Sequence, residues 1–144
     1  MNHNCFHQKE PVRDKGPEPL IIDLETAVCQ NTNFRTALWT GANLQLTAMC
    51  IPVGGEIGVE MHEDVDQLIG IENGCALVMM GCSQNRMDMQ KRAGHRCTVI
   101  IPAGTWHNIR NIGNTPLKVY SVYAPPNHPF GTIHRRKSDS EQAY

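Results

Sequence analysis

No segment of this sequence approaches the ~20 consecutive apolar residues that a membrane-spanning helix needs. The N-terminus, Met1-Asn2-His3-Asn4-Cys5-Phe6-His7-Gln8, also lacks the apolar core of a signal peptide. Charge of one sign is missing: 13 Lys and Arg stand against 14 Asp and Glu, a formal net charge of −1. That balance makes no electrostatic case for nucleic acid or an anionic membrane as a partner. The basic cluster His134-Arg135-Arg136-Lys137 sits beside Asp139 and Glu141 and reads as a solvated tail. There are six cysteines (Cys5, Cys29, Cys50, Cys75, Cys82, Cys97) but no Cys-x-x-Cys and no regular spacing. A disulfide framework and a thiolate zinc site are therefore disfavoured. Cys50, Cys75 and Cys97 lie in or beside apolar runs, so the cysteines are expected to be reduced, mostly buried thiols of a cytoplasmic protein.

Helical periodicity is scarce too. Asp23 can cap one short helix, Leu24–Cys29. Strand signals follow over Phe34–Thr40, Leu44–Ile51, Gly55–His62, Gln67–Glu72, Ala76–Cys82, Met87–Gln90, Cys97–Ile101, Trp106–Arg110 and Leu117–Tyr123. Turn residues separate them, as in Gly41-Ala42-Asn43, Glu72-Asn73-Gly74 and Pro102-Ala103-Gly104. Short strands at this spacing predict an all-β antiparallel sandwich or small barrel in one domain. Three parts are expected: a flexible or strand-exchanging N-terminal arm over 1–19, the β-domain over 20–124, and a C-terminal tail over 125–144. The prolines after residue 124 cannot supply ladder donors, so the tail should lie over the barrel or reach a neighbouring subunit.

What the chain does have is a set of oxygen and imidazole donors on strand-like segments: Glu60, His62, Gln67 and His107. Side chains alternate along a strand, so Glu60 and His62 point one way and Met61 the other. A carboxylate, two imidazoles and an amide oxygen suit Fe, Mn, Zn, Ni or Co. Asp66 is the acidic alternative to Gln67, but Gly74 falls six residues after Gln67 and seven after Asp66, which favours Gln67. Asp66 could instead orient a ligand histidine from behind.

These residues lie in two segments, Gly54–Gly74 and Pro102–Asn111, that resemble the two motifs of the cupins, G-x5-H-x-H-x(3,4)-E-x6-G and G-x5-P-x-G-x2-H-x3-N. Gly54, His62 and Gly74 match the first, with Glu60 in place of its first His and Gln67 in place of its Glu. Pro102, Gly104, His107 and Asn111 match the second, with Arg96 in place of its leading Gly. The resemblance implies a single-domain jelly-roll β-barrel with a short N-terminal helix and one divalent metal ion. Asn31–Gly41, Glu60–Gln67, Pro102–Asn108 and Tyr123-Ala124-Pro125-Pro126 are similar to small bacterial cupins called mannose-6-phosphate-isomerase-like, which implies a homodimer. Sugar isomerisation does not follow, since no cluster of Lys and Arg shares the ligand face to hold a phosphate.

Ile69, Ile71 and Ile109 share the ligand face and should make its surroundings apolar. Trp106 points away, and Trp39, Phe34, Tyr120 and Tyr123 read as wall or core. His128 and His134 could cap the pocket, although tail histidines are usually exposed. Arg35 could pair with an acid, and His95 and Arg96 read as turn residues. The functional expectation is a metal-dependent enzyme acting on a small organic molecule, by oxygenation or by isomerisation through an enolate. The alternative is a binding or sensing module, and a purely structural role fits least. No separate general base can be identified, and catalytic residues beyond the ligands are unknown.

Overall fold

The computed structural model of the chain describes residues 12–142. Its first element is helix α1 (Leu24–Gln30), capped by Asp23, whose carboxylate accepts from the Thr26 N–H at 3.0 Å. Among the described residues nine strands follow: β1 (Arg35–Thr40), β2 (Gln45–Ile51), β3 (Asp66–Asn73), β4 (Ala76–Gly81), β5 (Met89–Ala93), β6 (Thr98–Ile101), β7 (Trp106–Asn111), β8 (Leu117–Ala124) and β9 (Ile133–His134), before helix α2 (Lys137–Gln142). They form two antiparallel sheets, a large one ordered β6-β3-β8-β2-β1-β9 and a small one ordered β5-β4-β7. This is the jelly roll the sequence predicts, although the two sheets are not joined into one closed hydrogen-bonded ring.

The period-2 pattern decides what lies between the sheets. Met49, Ile51, Ile69, Ile71, Leu117 and Val119 from the large sheet pack against Val78, Met80 and Ile109 from the small one. Each is nearly or fully removed from water, worth roughly 1.5–3 kcal/mol per side chain. The opposite face of the large sheet presents Leu38 and Ala48 to Val28 of α1, which buries its apolar stripe there. The interior is therefore apolar in its depth and polar at one end, where Gln67, Ser121 and Tyr123 come in register across β3 and β8.

Ala124-Pro125 is cis, and beyond it the tail folds back over the barrel of its own chain. The Gln45 amide holds it: Oε1 accepts from the Asn127 and His128 N–H groups at 3.1 and 2.9 Å, and Nε2 donates to the His128 carbonyl at 2.9 Å. The short strand β9 then pairs with β1, placing His134 opposite Arg35. Sequence reasoning missed β9 and α2, both short elements without a clear period. Residues 1–11 of the expected arm lie outside the described residues. Its end is fastened down, with Lys15 N–H donating to Leu38 O at 3.0 Å and the Asp14 carboxylate accepting from Gly131 N–H at 3.0 Å.

Two expectations need correction. Among the described residues the cysteines are not mostly buried: Cys29, Cys82 and Cys97 are exposed, Cys50 and Cys75 half-buried, and these five are free thiols, while Cys5 lies outside the described residues. Their apolar neighbours misled, because Cys50 takes the outward position between buried Met49 and Ile51. The segment expected as a strand over Gly55–His62 makes only isolated bridges, Glu56 to Arg110 and Glu60 to His107.

Candidate metal centre

That broken strand builds the site. It runs beside β7, with Ile57 N–H donating to Ile109 O (2.9 Å) and reciprocal bonds joining the Glu60 and His107 backbones (3.0 and 2.9 Å). Between its two bridges it uses one more residue than β7 does, which is a β-bulge. Gly58 absorbs the extra residue at φ 107°, and its N–H is met at 3.0 Å by the Asn108 side-chain oxygen. Asn108 also donates to Glu56 at 3.0 Å, so one amide clamps both sides of the bulge. A one-residue slip exchanges the faces of a strand. Ile57 can therefore sit in the core while Glu60 and His62, three and five residues on, also face inward.

Glu60, His62 and His107 each offer a ligand atom, and these atoms lie within 4.8 Å of one another. Glu60 Oε1 is 3.3 Å from His107 Nε2 and 3.5 Å from His62 Nε2. The His107 ring is buried, and its Nδ1 lies 2.9 Å from the Thr105 carbonyl. A carbonyl only accepts, so Nδ1 donates to Thr105, and Nε2 is the ring nitrogen turned toward Glu60 and placed to bind a metal. His62 Nε2 is buried with no hydrogen-bond partner. Burial pushes the Glu60 carboxyl up, but the close His107 contact and the Coulombic pull of His62 and His107 outweigh it and hold the group well below the usual carboxylate range.

Gln67 opens β3 beside this triad of donors and is buried. Its Nε2 donates to Ser121 Oγ at 3.3 Å, which leaves Oε1 buried and without a partner. An orphaned amide oxygen and an orphaned imidazole nitrogen, next to an ionised carboxylate, are a donor set that fits a divalent metal ion. Asp66 does not support a ligand histidine: it is exposed and its Oδ1 accepts from Ala103 N–H at 2.8 Å, fixing the loop before β7. Thr105 supplies the support to His107 instead. Asn111 is structural, donating to the carbonyls of Ile51 (3.1 Å) and Thr115 (2.9 Å).

Aromatic and imidazole rings continue from the triad. The Tyr123 ring stands edge-on to His62 at 6.1 Å and to His128 at 5.2 Å, and His128 lies 6.3 Å from His134. His134 is 5% exposed, so the tail histidines turn inward, contrary to the usual habit of such residues. Arg35, which from sequence could pair with an acid, is buried, and its Nη1 contacts His134 Nδ1 at 3.1 Å. Burial, then the nearby Arg35 charge, pushes His128 down to about 3 and lowers His134. Burial raises the Tyr123 phenol, against the opposing pull of Arg35. Alternation along β1 was the available signal for Arg35, since Arg35 and Ala37 share one face and Thr36 and Leu38 the other.

Comparison with known proteins agrees with this architecture. The cupin domain family matches residues 47–123. The chain is 48% identical over 132 residues to YrkC of Bacillus subtilis, an uncharacterized protein, covering 92% of this chain and 71% of that one. The crystal structure of BH2720 from Bacillus halodurans superposes with a TM-score of 0.90 at 48% identity, over 90% of this chain and 98% of that one. A predicted oxalate decarboxylase of Thermotoga maritima shares the fold at 21% identity and a TM-score of 0.51, over 57% of this chain and 66% of that one. The chain belongs to the cupin family.

Proposed function

We propose that this cupin holds one divalent metal ion on Glu60, His62, His107 and Gln67 and is an enzyme acting on a small organic molecule. The observation that carries the reading is the meeting of three ligand atoms within 4.8 Å beside two buried, unpartnered donor atoms. Two imidazoles and one carboxylate are the facial set suited to Fe(II), and Mn, Zn, Ni and Co are accommodated by the same donors. Held by these residues, the ion would supply Lewis-acid or oxygen-activating chemistry to a small organic substrate. The reaction class follows as oxygenation, or isomerisation through an enolate.

The protein's own residues supply the rest. Ile69, Ile71 and Ile109 are buried in the apolar core on the strands that carry Gln67 and His107, and would keep water from the depth of the site. Thr105 fixes the His107 ring by its carbonyl. The Tyr123 hydroxyl, with its pKa raised, keeps its proton at neutral pH and can donate to a substrate oxygen. The neutral His128 ring packs against Tyr123 and is too weak a base to take that proton.

One observation favours a second reading, a binding or sensing module without turnover. Among the described residues around the site, every strong base is already a ligand. The resemblance to the mannose-6-phosphate-isomerase-like group supports a homodimer with one metal per chain. Sugar isomerisation is left out of the reading, because one buried arginine rather than a basic cluster faces the interior. A cytoplasmic location without nucleic-acid or membrane partners is part of the proposal. Among the described residues no helix is long and apolar enough to cross a membrane.

The test is oxygen uptake by Fe(II)-loaded protein, with product analysis, over a panel of enolisable acids, thiols and phenols. Turnover of one class above that of free metal is the expected result. Saturable thermal stabilisation by a panel member with no product from any of them would transfer the protein to the sensing class.

A further inference from the structure

Among the described residues, four buried side-chain atoms have no hydrogen-bond partner: His62 Nε2, Gln67 Oε1, Thr47 Oγ1 and Arg35 Nε. The metal reading accounts for the first two only. A guanidinium has no lone pair to give a metal and is always a donor. Thr47 lies opposite Ser121 of β8, the residue that receives the Gln67 amide, and Arg35 lies opposite Met49 of the core. Both therefore face the interior from the large sheet, beyond the metal ligands.

Arg35 is 4% exposed, and no described carboxylate lies within ion-pair distance of it. Its Nη1 is taken by His134 at 3.1 Å, Nη2 lies 4.0 Å from the Met49 sulfur, and the guanidinium also meets the Tyr123 phenol, while Nε has no partner. Nε and Nη2 form one edge of the guanidinium, the side-on pair that receives the two oxygens of a carboxylate. On that edge Nε is the donor left without a partner. The ring series His62, Tyr123, His128, His134 runs from the metal ligands to Arg35 without interruption. Tyr123 and His128 also lie within the electrostatic reach of both Glu60 and Arg35.

We infer that the Nε and Nη2 edge of Arg35, with the Thr47 hydroxyl, seats the carboxylate of a small organic acid whose other end faces Glu60, His62 and His107. The seat deepens the metal-centre reading by naming the substrate class, and rests on that reading for its far end alone. A single cation favours a carboxylate over a phosphate dianion. His134 accepts from Arg35 through Nδ1 and so is the neutral tautomer, adding no second charge. A monoanion neutralises the seat one-to-one, whereas a dianion would leave charge buried.

The experiment is a titration of the full-length, nitrogen-15-labelled protein with sodium butyrate, in parallel with inorganic phosphate, followed at the Arg35 Nε–H resonance with and without added zinc. The resonance is identified by its loss in Arg35→Lys. Butyrate should shift it saturably and one-to-one, and phosphate should bind more weakly. Thr47→Val should raise the butyrate dissociation constant roughly fivefold. Arg35→Lys, lacking the planar fork, should weaken butyrate binding by about tenfold or more in calorimetry. An Arg35 resonance that butyrate leaves in place overturns the seat, and tighter binding of phosphate overturns the carboxylate assignment. If Arg35→Lys does not fold, the wild-type titration and the Thr47→Val variant decide the matter. A protein that takes up zinc but leaves Arg35 unmoved refutes the seat alone, and one that takes up no zinc but binds butyrate at Arg35 refutes the metal alone.

Discussion

Glu60 stands where the cupin motif has a histidine, and the substitution changes the charge of the site without removing a donor. Gln67, in place of the motif's glutamate, reverses that change, so the pair carries one carboxylate and one neutral oxygen. The exchange conserves the chemistry of the set while moving the acid from β3 to the bulged segment. His128 carries a different consequence. Its folded-state pKa of about 3 lies below the ordinary value of 6.5. Between those values the unfolded chain binds more protons than the fold, so stability rises with pH through the window and falls as pH drops from about 6.5 toward 3. Replacing His128 by Phe should flatten the urea midpoint measured between pH 7 and pH 5. An unchanged slope would mean that another group carries the dependence. Arg96 shows what a departure from the motif costs. It holds φ 74° where the motif places glycine, and its N–H still donates to Ile71 O at 3.1 Å. Arg96→Gly should stabilise the protein by about 0.5–1 kcal/mol, the steric relief exceeding the added chain entropy. Chemical denaturation measures it, and a loss of stability would show that the Arg96 side chain contributes more than its backbone costs.

Among the elements, the bulged segment Gly55–His62 matters most, because its register sets which side chains face the ligand point. Gly58→Ala would place a β-carbon at φ 107°, near the Lys137 side chain at 3.5 Å. The substitution should cost about 1–2 kcal/mol and loosen the bulge that turns Glu60 inward. Weaker zinc retention, at a dissociation constant raised about tenfold or more, is the expected companion, because misplacing a ligand or its support erodes metal affinity. Calorimetric titration checks it, and unaltered affinity would show that the bulge does not position the ligands. The same segment marks the limit of what the sequence made legible. Alternation found β1 to β4 and β6 to β8 to within a residue or two, because each has one buried face. It assigned Gly55–His62 as a regular strand, because a bulge leaves no period of its own and only the paired partner β7 reveals it. The assignment that Glu60 and His62 share a face survives, since they are two residues apart on one side of the bulge.

At the level of the whole molecule, two sheets and a returning tail enclose a polar end above an apolar depth. The ligand candidates were legible because motif spacing carries them. The inward arginine and tail histidines were not, since their environment is made by β9 pairing with β1, a contact between residues about a hundred positions apart in the chain. Local chemistry gave those residues the look of a surface tail, and the long-range pairing decided otherwise. The reduced state expected of the thiols agrees with five free cysteines among the described residues, while their burial does not: Cys50 takes the outward position of β2, and Cys75, Cys82 and Cys97 lie just outside the strands that their apolar neighbours form.

The proposed chemistry requires a metal ion held by Glu60, His62, His107 and Gln67. Elemental analysis of the untagged full-length protein, run beside His107→Ala, tests it directly. One equivalent of a single divalent transition metal per chain is predicted, with near-complete loss in the folded variant. Wild-type protein that neither carries nor takes up a metal, or a variant that keeps the full equivalent, would contradict it.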